Sequence, residues 1–331
     1  MILVDGGKGG GQIVRTALSL SAVTKKECIL KNIRGQRGES GLKAQHLAAV
    51  KAMQQLCHAD VTGAYEGSRE ITFIPGNIEG GKYTVDIGTA GSTTLLLQTL
   101  LPACLREDAP VTLIAKGGTD TLWCPPSTHF QQIFLKALEK IGVKTACEIN
   151  RYGFYPKGGG QISLTILPSK QILQLDFKER GKLQQTEIYA IVAEQLKERS
   201  VAERMIETYQ KILPESKAKI KYVPTLSSGC SLQSVGQYEN YAVGTGVLGD
   251  VKKSAEQLGR ECAEATKRLQ QEKGVDSFFG DQLMIYLGLA GAGEISVPEI
   301  TKHMQTNAEV IEQFLPVKIL LEKNKIKCVK K

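Results

Sequence analysis

Three stretches of this chain repeat one pattern: a strand ending in Asp, a glycine-containing turn, then an apolar helix. The first reads ILVD, GGKGGG, QIVRTALSLSAV from residue 2. The second reads YTVD, IGTAGS, TTLLLQTLLPACL from residue 83, and the third and weakest reads GVD, SFFG, DQLMIYLGLAG from residue 274. Each leads into a strand-like segment, at Cys28–Ile33, Val111–Ala115 and Glu294–Val297. A second helix follows, its apolar residues three and four apart, at Gly41–Cys57, Ser127–Ile141 and about Asn307–Leu315. Alternating strands close each unit at Val61–Ile74, at Val143–Ile166 as a hairpin, and at Val317–Val329. The predicted fold is α/β (α+β): three β-α-β-α-β-β repeats with helices on one side of each sheet.

The first two copies span about 1–78 and 79–168, and the third is split. After LQLDFKERG, residues 180–271 change character, with two charged, glycine-poor helices at Val201–Leu213 and Lys252–Lys273. This segment is predicted to be a smaller α/β domain inserted in the third repeat, leaving a core of 1–179 and 272–331. With 42% hydrophobic and 23% charged residues, the chain can bury a core and is not a disordered tail. The longest apolar run, Thr93 to Leu105, is interrupted by Gln98 and Pro102 and falls short of the ~20 residues of a membrane helix. No basic leader precedes Ile2, so no export signal is expected and the cytoplasm is the expected compartment. The eight cysteines form no CxxC pair, which argues for buried thiols over zinc or a disulfide scaffold. A net charge of +8 permits a phosphate-rich partner without demanding one.

The 34 glycines bunch at 6–11, 88–92, 116–119, 157–160 and 288–293. Glycine turns that open helices suit anions, because unpaired N–H groups point at the ligand and no Cβ blocks its approach. There is no GxxxxGK[ST], and GGKGGG lacks the spacing and following acid of a dinucleotide fold, so any nucleotide site is of another kind. Arg15, one turn into the first helix, and Arg34 and Arg37, flanking a turn before the second, form a candidate phosphate clamp. Among four histidines, His46 and His58 read as packing or capping residues and His129 is ambiguous. Thr306-x-x-Glu309 reads as a capping box that starts a helix near Asn307 and leaves His303 just ahead of its positive end. A neutral imidazole there has the chemistry to attack phosphorus.

The run RYGFYPKGGGQI at 151–162 resembles the glycine-rich signature of the RNA 3′-terminal phosphate cyclase family. The similarity extends in order through GGGQIVRTALSLS, IRGQRGESGLKAQHL, GTAGSTTLLLQTLLP, KGGTDTLWCPP, GDQLMIYLGLAGAGE and KHMQTNAEVIEQFLPVK. The family fold is three β-α-β-α-β-β repeats, akin to the enolpyruvyl transferases, with an α/β insert in the third. The resemblance implies three ATP-dependent steps: histidine takes AMP from ATP, AMP passes to an RNA 3′-phosphate, and the 2′-hydroxyl closes a 2′,3′-cyclic phosphate as AMP leaves. It implies His303 as nucleophile. It also implies Arg15, Arg34, Arg37 and Gln45 at phosphate or RNA, Gln98 and Pro125 beside adenine, and Phe278 as an aromatic able to stack on it. Asp281 and Gln282 match a pair near the nucleotide, where Asp281 orients either the ribose or the histidine.

Three positions depart from the family pattern. The usual DG-x-x-GEGGGQ, whose glutamate binds the divalent metal accompanying ATP, is shortened here to DGGKGGGQ with Lys8 in the loop. The ligand of Mg²⁺ or Mn²⁺ is therefore open: another carboxylate, the nucleotide phosphates, or partial replacement of the cation by lysine. Tyr152 stands where His or Arg is usual, and Ser40 where proline is common. The alternative is a non-catalytic, cyclase-like RNA-binding protein of ribosome assembly; members of that branch lack the nucleophilic histidine. An enolpyruvyl transferase shares the repeat fold but does not account for KHMQTN.

Overall fold

The computed structural model describes residues 1–36, 38–169 and 171–331. Four four-stranded sheets carry the fold. In the first, β1 (Ile2–Asp5) lies parallel to β2 (Cys28–Lys31), which is antiparallel to β4 (Ile71–Ile74), and β3 (Asp60–Thr62) pairs the far side of β4. The second sheet has the same order with β5 (Gly81–Asp86), β6 (Val111–Gly117), β8 (Gly160–Ile166) and β7 (Thr145–Arg151). A third sheet runs β9 (Leu175–Phe177), β14 (Gly293–Ser296), β16 (Lys325–Lys330), β15 (Val317–Glu322), again with only its first pair parallel. The remaining sheet has β10 (Leu183–Ala193) between β11 (Lys217–Val223) and β12 (Cys230–Tyr238), with β13 (Ala242–Leu248) outermost. Mixed sheets with interleaved helices make the α+β class.

The helices start where their caps dictate. Helix α1 (Gly11–Thr24) follows Gly10, with no side-chain cap and no acid in its first turn, so its leading N–H groups stay available. Helix α2 is Ala44–Cys57, α3 is Thr93–Cys104 capped by Ser92, and α4 is Ser127–His129, continuing through a π-helical turn at Phe130–Phe134 into α5 (Leu135–Lys140). Beside the fourth sheet lie α6 (Val201–Gln210) and α7 (Ala255–Gln271), the latter opened by a Ser254–Gln257 capping box. Helix α8 (Ser277–Ala290) is capped by Asp276, and α9 is Lys302–Phe314. Alternate residues of β6 and β8 are buried, so one face of their sheet carries the core. Helices α1, α3 and α9 pack together across a continuous apolar cluster that includes Leu18, Leu97 and Ile311. A separate cluster lies under α6 and α7, around Met205, Leu232 and Cys262.

Two expectations are corrected. The segment GVD forms no strand; Val275 makes one backbone bond, its N–H donating to the Ser296 carbonyl at 2.9 Å. The parallel partner of β14 is β9, more than a hundred residues earlier in the chain, and its Leu175 and Phe177 fill the core. Nor does the last helix wait for Asn307. Thr301 is its N-cap, accepting from the Met304 N–H at 3.2 Å, and Met304 is anchored in the core. Thr306 donates instead to the carbonyls of Lys302 and His303, bonds that exist only once the helix is under way.

No described helix is long and apolar enough to cross a membrane. All eight cysteines are free, six of them buried.

Candidate active site

With α9 starting at Lys302, His303 sits inside its first turn, half exposed at the positive end of the helix. Its Nδ1 lies 3.8 Å from Oδ2 of Asp281 on α8. The other carboxylate oxygen, Oδ1, accepts from Gln12 Nε2 at 2.6 Å and from Asn307 Nδ2 at 2.9 Å. Asn307 in turn accepts from Thr16 Oγ1 at 2.6 Å. Three helices are thereby tied at one point: α1 supplies Gln12 and Thr16, α8 supplies Asp281, and α9 supplies His303 and Asn307. Gln12 Nε2 also reaches the His303 carbonyl at 3.4 Å, while its buried Oε1 finds no partner in the fold.

Burial pushes the Asp281 carboxyl up to about 6, against the opposing pull of Asn307, Arg15 and Gln12. Arg15 belongs to the same cluster: burial lowers its pKa, while Asp281 and Cys124 favour its charged form. His46 is buried beneath, its Nδ1 accepting from the Lys43 N–H at 3.2 Å, which makes it a capping residue of α2. Burial, with Arg15, Arg34 and Lys43 nearby, holds its pKa down to about 3, so it stays neutral. Any side chain at Gly11 would overlap the His46 ring, which fixes why the chain is glycine where it enters α1.

The glycine turns meet one another. The Gly118 N–H donates to the Gly91 carbonyl at 2.8 Å. A side chain at Gly158 would strike Ala90 and Gly117, and one at Gly91 would press on Ile87 and reach Gln45 at the start of α2. Turns 88–91, 117–118 and 157–160 thus pack on one another, while Gly6 of turn 6–11 lies against the 31–33 segment and Gly11 against His46. The 288–293 cluster does not join them: Gly291 ends α8 in the left-handed conformation and Gly288 packs against Ile311.

Of the expected site residues, Arg15, Asp281 and His303 are brought together. Gln98 donates to Gln282 at 2.9 Å across α3 and α8, and the Pro125 carbonyl accepts from Thr94 Oγ1 at 2.7 Å. Phe278 stands exposed in the first turn of α8. Arg34 bends onto its own loop, donating to the carbonyls of Glu39 at 2.8 Å and Gly41 at 3.1 Å. Arg37 lies outside the described residues. The sequence reading missed Gln12, Thr16 and Asn307. Their signal was helical spacing, Gln12 and Thr16 at i, i+4 and His303 and Asn307 likewise.

A cleft of about 390 Å³ opens beside the first turn, lined by Asp5, Lys8, Asn32, Gln36 and Arg69 among others. Lys302 Nζ donates to Gln36 Oε1 at 3.0 Å, joining its rim to the helix of His303. These residues do not make a cage for the divalent cation that the resemblance implies. Asp5 Oδ1 is already accepting from the Gly7 N–H and Asn32, Asp281 is held by Gln12 and Asn307, and no cluster of three metal-ligating side chains exists among the described residues.

Residues 6–321 match the model of a family described as RNA 3′-terminal phosphate cyclase. The chain belongs to that family. Curated relatives named RNA 3′-terminal phosphate cyclase include one from Pyrococcus furiosus, 40% identical over 95% of this chain and 93% of its own. Another, from Methanosarcina acetivorans, is 39% identical over 97% of both chains. A third, from Koribacter versatilis, is 39% identical over 96% of this chain and 90% of its own. As a member of the cyclase family the chain is an enzyme.

Proposed function

We propose that this chain converts an RNA 3′-terminal phosphate to a 2′,3′-cyclic phosphate, using ATP and a covalent His303–AMP intermediate. The observation that carries the reading is His303 in the first turn of α9 with the Asp281 carboxylate on its Nδ1 side. That carboxylate favours the tautomer with the proton on Nδ1 and leaves the Nε2 lone pair as nucleophile. Nε2 attacks the α-phosphorus of ATP, a P–N bond forms and pyrophosphate leaves. An oxygen of the RNA 3′-phosphate then attacks the same phosphorus and the histidine departs, giving an RNA-pp-A end. Finally the adjacent 2′-hydroxyl attacks the 3′-phosphorus, loses its proton and expels AMP. The last attack is intramolecular and has AMP as leaving group, which is what the earlier steps supply.

The uncapped N–H groups of α1 and the Arg15 guanidinium are suited to the phosphates. The orphaned Gln12 Oε1 is an acceptor that a ribose hydroxyl can meet. Gln98, Gln282, Pro125 and the exposed Phe278 are proposed to bound adenine, with Arg34, Arg37 and Gln45 on the RNA phosphate side. Residues 180–271 are proposed as an inserted domain, and the cytoplasm as the compartment. Mg²⁺ or Mn²⁺ is proposed to arrive with the nucleotide phosphates.

The test is covalent labelling. Incubated with α-labelled ATP and Mg²⁺ or Mn²⁺, the protein is expected to take up an acid-labile, base-stable label that His303→Ala lacks. Equal labelling of the two proteins sinks the proposal. RNA binding with neither label nor cyclisation would establish the non-catalytic, ribosome-assembly alternative in its place.

A further inference from the structure

The chain has one tryptophan, Trp123, and it is 96% exposed. Its backbone sits at φ 65°, in the left-handed region where a bulky residue is strained. Strain and exposure together are not the mark of a slack loop here, because the loop is bound on both sides. Cys124 Sγ lies 3.1 Å from Thr121 Oγ1, the Ser127 N–H donates to the Thr119 carbonyl at 3.0 Å, and the Pro125 carbonyl is held from α3 by Thr94. The fold ties down the backbone on both sides of an indole that stands out in water.

Its surroundings define what it meets. On one side the loop is held to α3 by the Thr94–Pro125 bond, and α3 is joined to α8, the helix of Asp281, by Gln98 and Gln282. On the other side the loop adjoins turn 157–160, where Gly158 lies against Gly117 and Gly160 against Thr119, and Gly159 of that turn lies against Leu226. Leu122, Tyr155 and Leu226 are also exposed, at 66%, 73% and 60%. Loops 117–126, 151–160 and 224–229 carry Arg151 and Lys157, and their one carboxylate, Asp120, is buried. Exposed rings on a rigid surface, with cations and no exposed carboxylate on those loops, suit a single nucleic acid strand rather than a protein groove.

We propose that Trp123 is a stacking platform for a nucleobase near the 3′ end of the RNA, whose strand leaves the active site toward Tyr155 and Leu226. This rests on the cyclase reading. It adds a contact that recognises bases by their π-face and therefore tolerates any sequence.

Trp123 reports on itself as the only indole. Titrating the wild-type protein with a 3′-phosphorylated single-stranded oligoribonucleotide is expected to quench its fluorescence. An oligonucleotide made abasic over its last few positions is expected to bind without quenching. Trp123→Ala should raise KM for RNA by roughly 5- to 100-fold and move kcat much less, with Trp123→Phe restoring most of the loss. RNA binding or cyclisation with an unchanged indole signal would overturn the proposal and leave the cyclase reading standing. So would quenching by ATP alone to which RNA adds nothing, since the base would then be adenine. A signal that changes only with protein concentration would assign the patch to self-association and overturn it as well. Absence of any RNA binding by the wild-type protein would overturn both.

Discussion

At the scale of single residues, Asp281 has the most to lose from its setting. A carboxylate that is buried, bonded by Gln12 and Asn307, and only 3.8 Å from His303 exists for a reason other than stability. Its pKa is lifted from 3.8 to about 6, so the folded protein binds a proton more tightly than the unfolded chain does. The sign follows: stability is gained below this window and lost as pH rises through it, by up to about 3 kcal/mol. Asp281→Asn keeps an acceptor for both amides and has no charge to bury. Thermal melts above pH 6 are expected to show it at least as stable as wild type, with a flatter dependence on pH. Its histidine labelling should fall by about 10- to 100-fold, and in the wild type labelling should decline as pH drops through about 6. A variant that melts earlier at neutral pH and labels normally would refute this account of Asp281. Helical spacing alone places Gln12 with Thr16 and His303 with Asn307, but it does not say that the two pairs face each other.

Between elements, the contact of α1 with α2 depends on a missing side chain. Gly11 has ordinary backbone angles and stands first in a helix, where alanine is intrinsically better. Nonetheless Gly11→Ala is expected to destabilise the protein by about 1–3 kcal/mol, because the methyl group overlaps the His46 ring. Combining it with His46→Ala should recover part of that cost, and a double-mutant cycle by chemical denaturation measures the coupling. Additive losses would mean that the clash is not the cause. The start of α9 teaches a related lesson. Thr301 and Thr306 both precede plausible helices, and local capping rules do not choose between them. The choice is made by Met304, whose burial in the core draws the earlier turn into the helix. Thr301→Ala should therefore cost about 1 kcal/mol and lower His303 labelling, since the cap holds the turn on which the nucleophile stands.

On the scale of the whole molecule, Asp120 joins the second sheet's loop to the fourth sheet. Its Oδ2 accepts from Thr119 at 2.8 Å and Ser127 at 2.7 Å, and its Oδ1 accepts from Ser231 of β12 at 3.0 Å. Asp120→Ala leaves three buried hydroxyls without their acceptor, and a loss of about 2–4 kcal/mol is expected in denaturant titrations. At the other end, Arg180 ties the segment's departure to its return, donating to the carbonyls of Gly274 and Leu269. The surplus of basic residues acts at this scale too. If RNA is gripped by a few arginines and lysines, log Kd plotted against log salt should have a slope of about 2 to 4, roughly 0.7 for each phosphate contacted. A slope near zero would show that the +8 charge has no part in RNA binding.

The sequence by itself determined most of the strands, the amphipathic helices and the blocks that mark the family, because periodicity and turn chemistry are local properties that the chain carries wherever it goes. It placed His303, Arg15 and Asp281 at one chemistry, although His303 lies 288 residues from Arg15, through resemblance and not through geometry. Only the tertiary structure decided that Leu175–Phe177, and not GVD, pairs with β14, because a parallel partner is chosen by long-range hydrogen bonding and burial. It also decided that α9 begins before His303, and that Gln12 and Asn307 hold Asp281 between them. Each of these depends on which surfaces meet when three helices share one core, and no stretch of sequence contains that information alone.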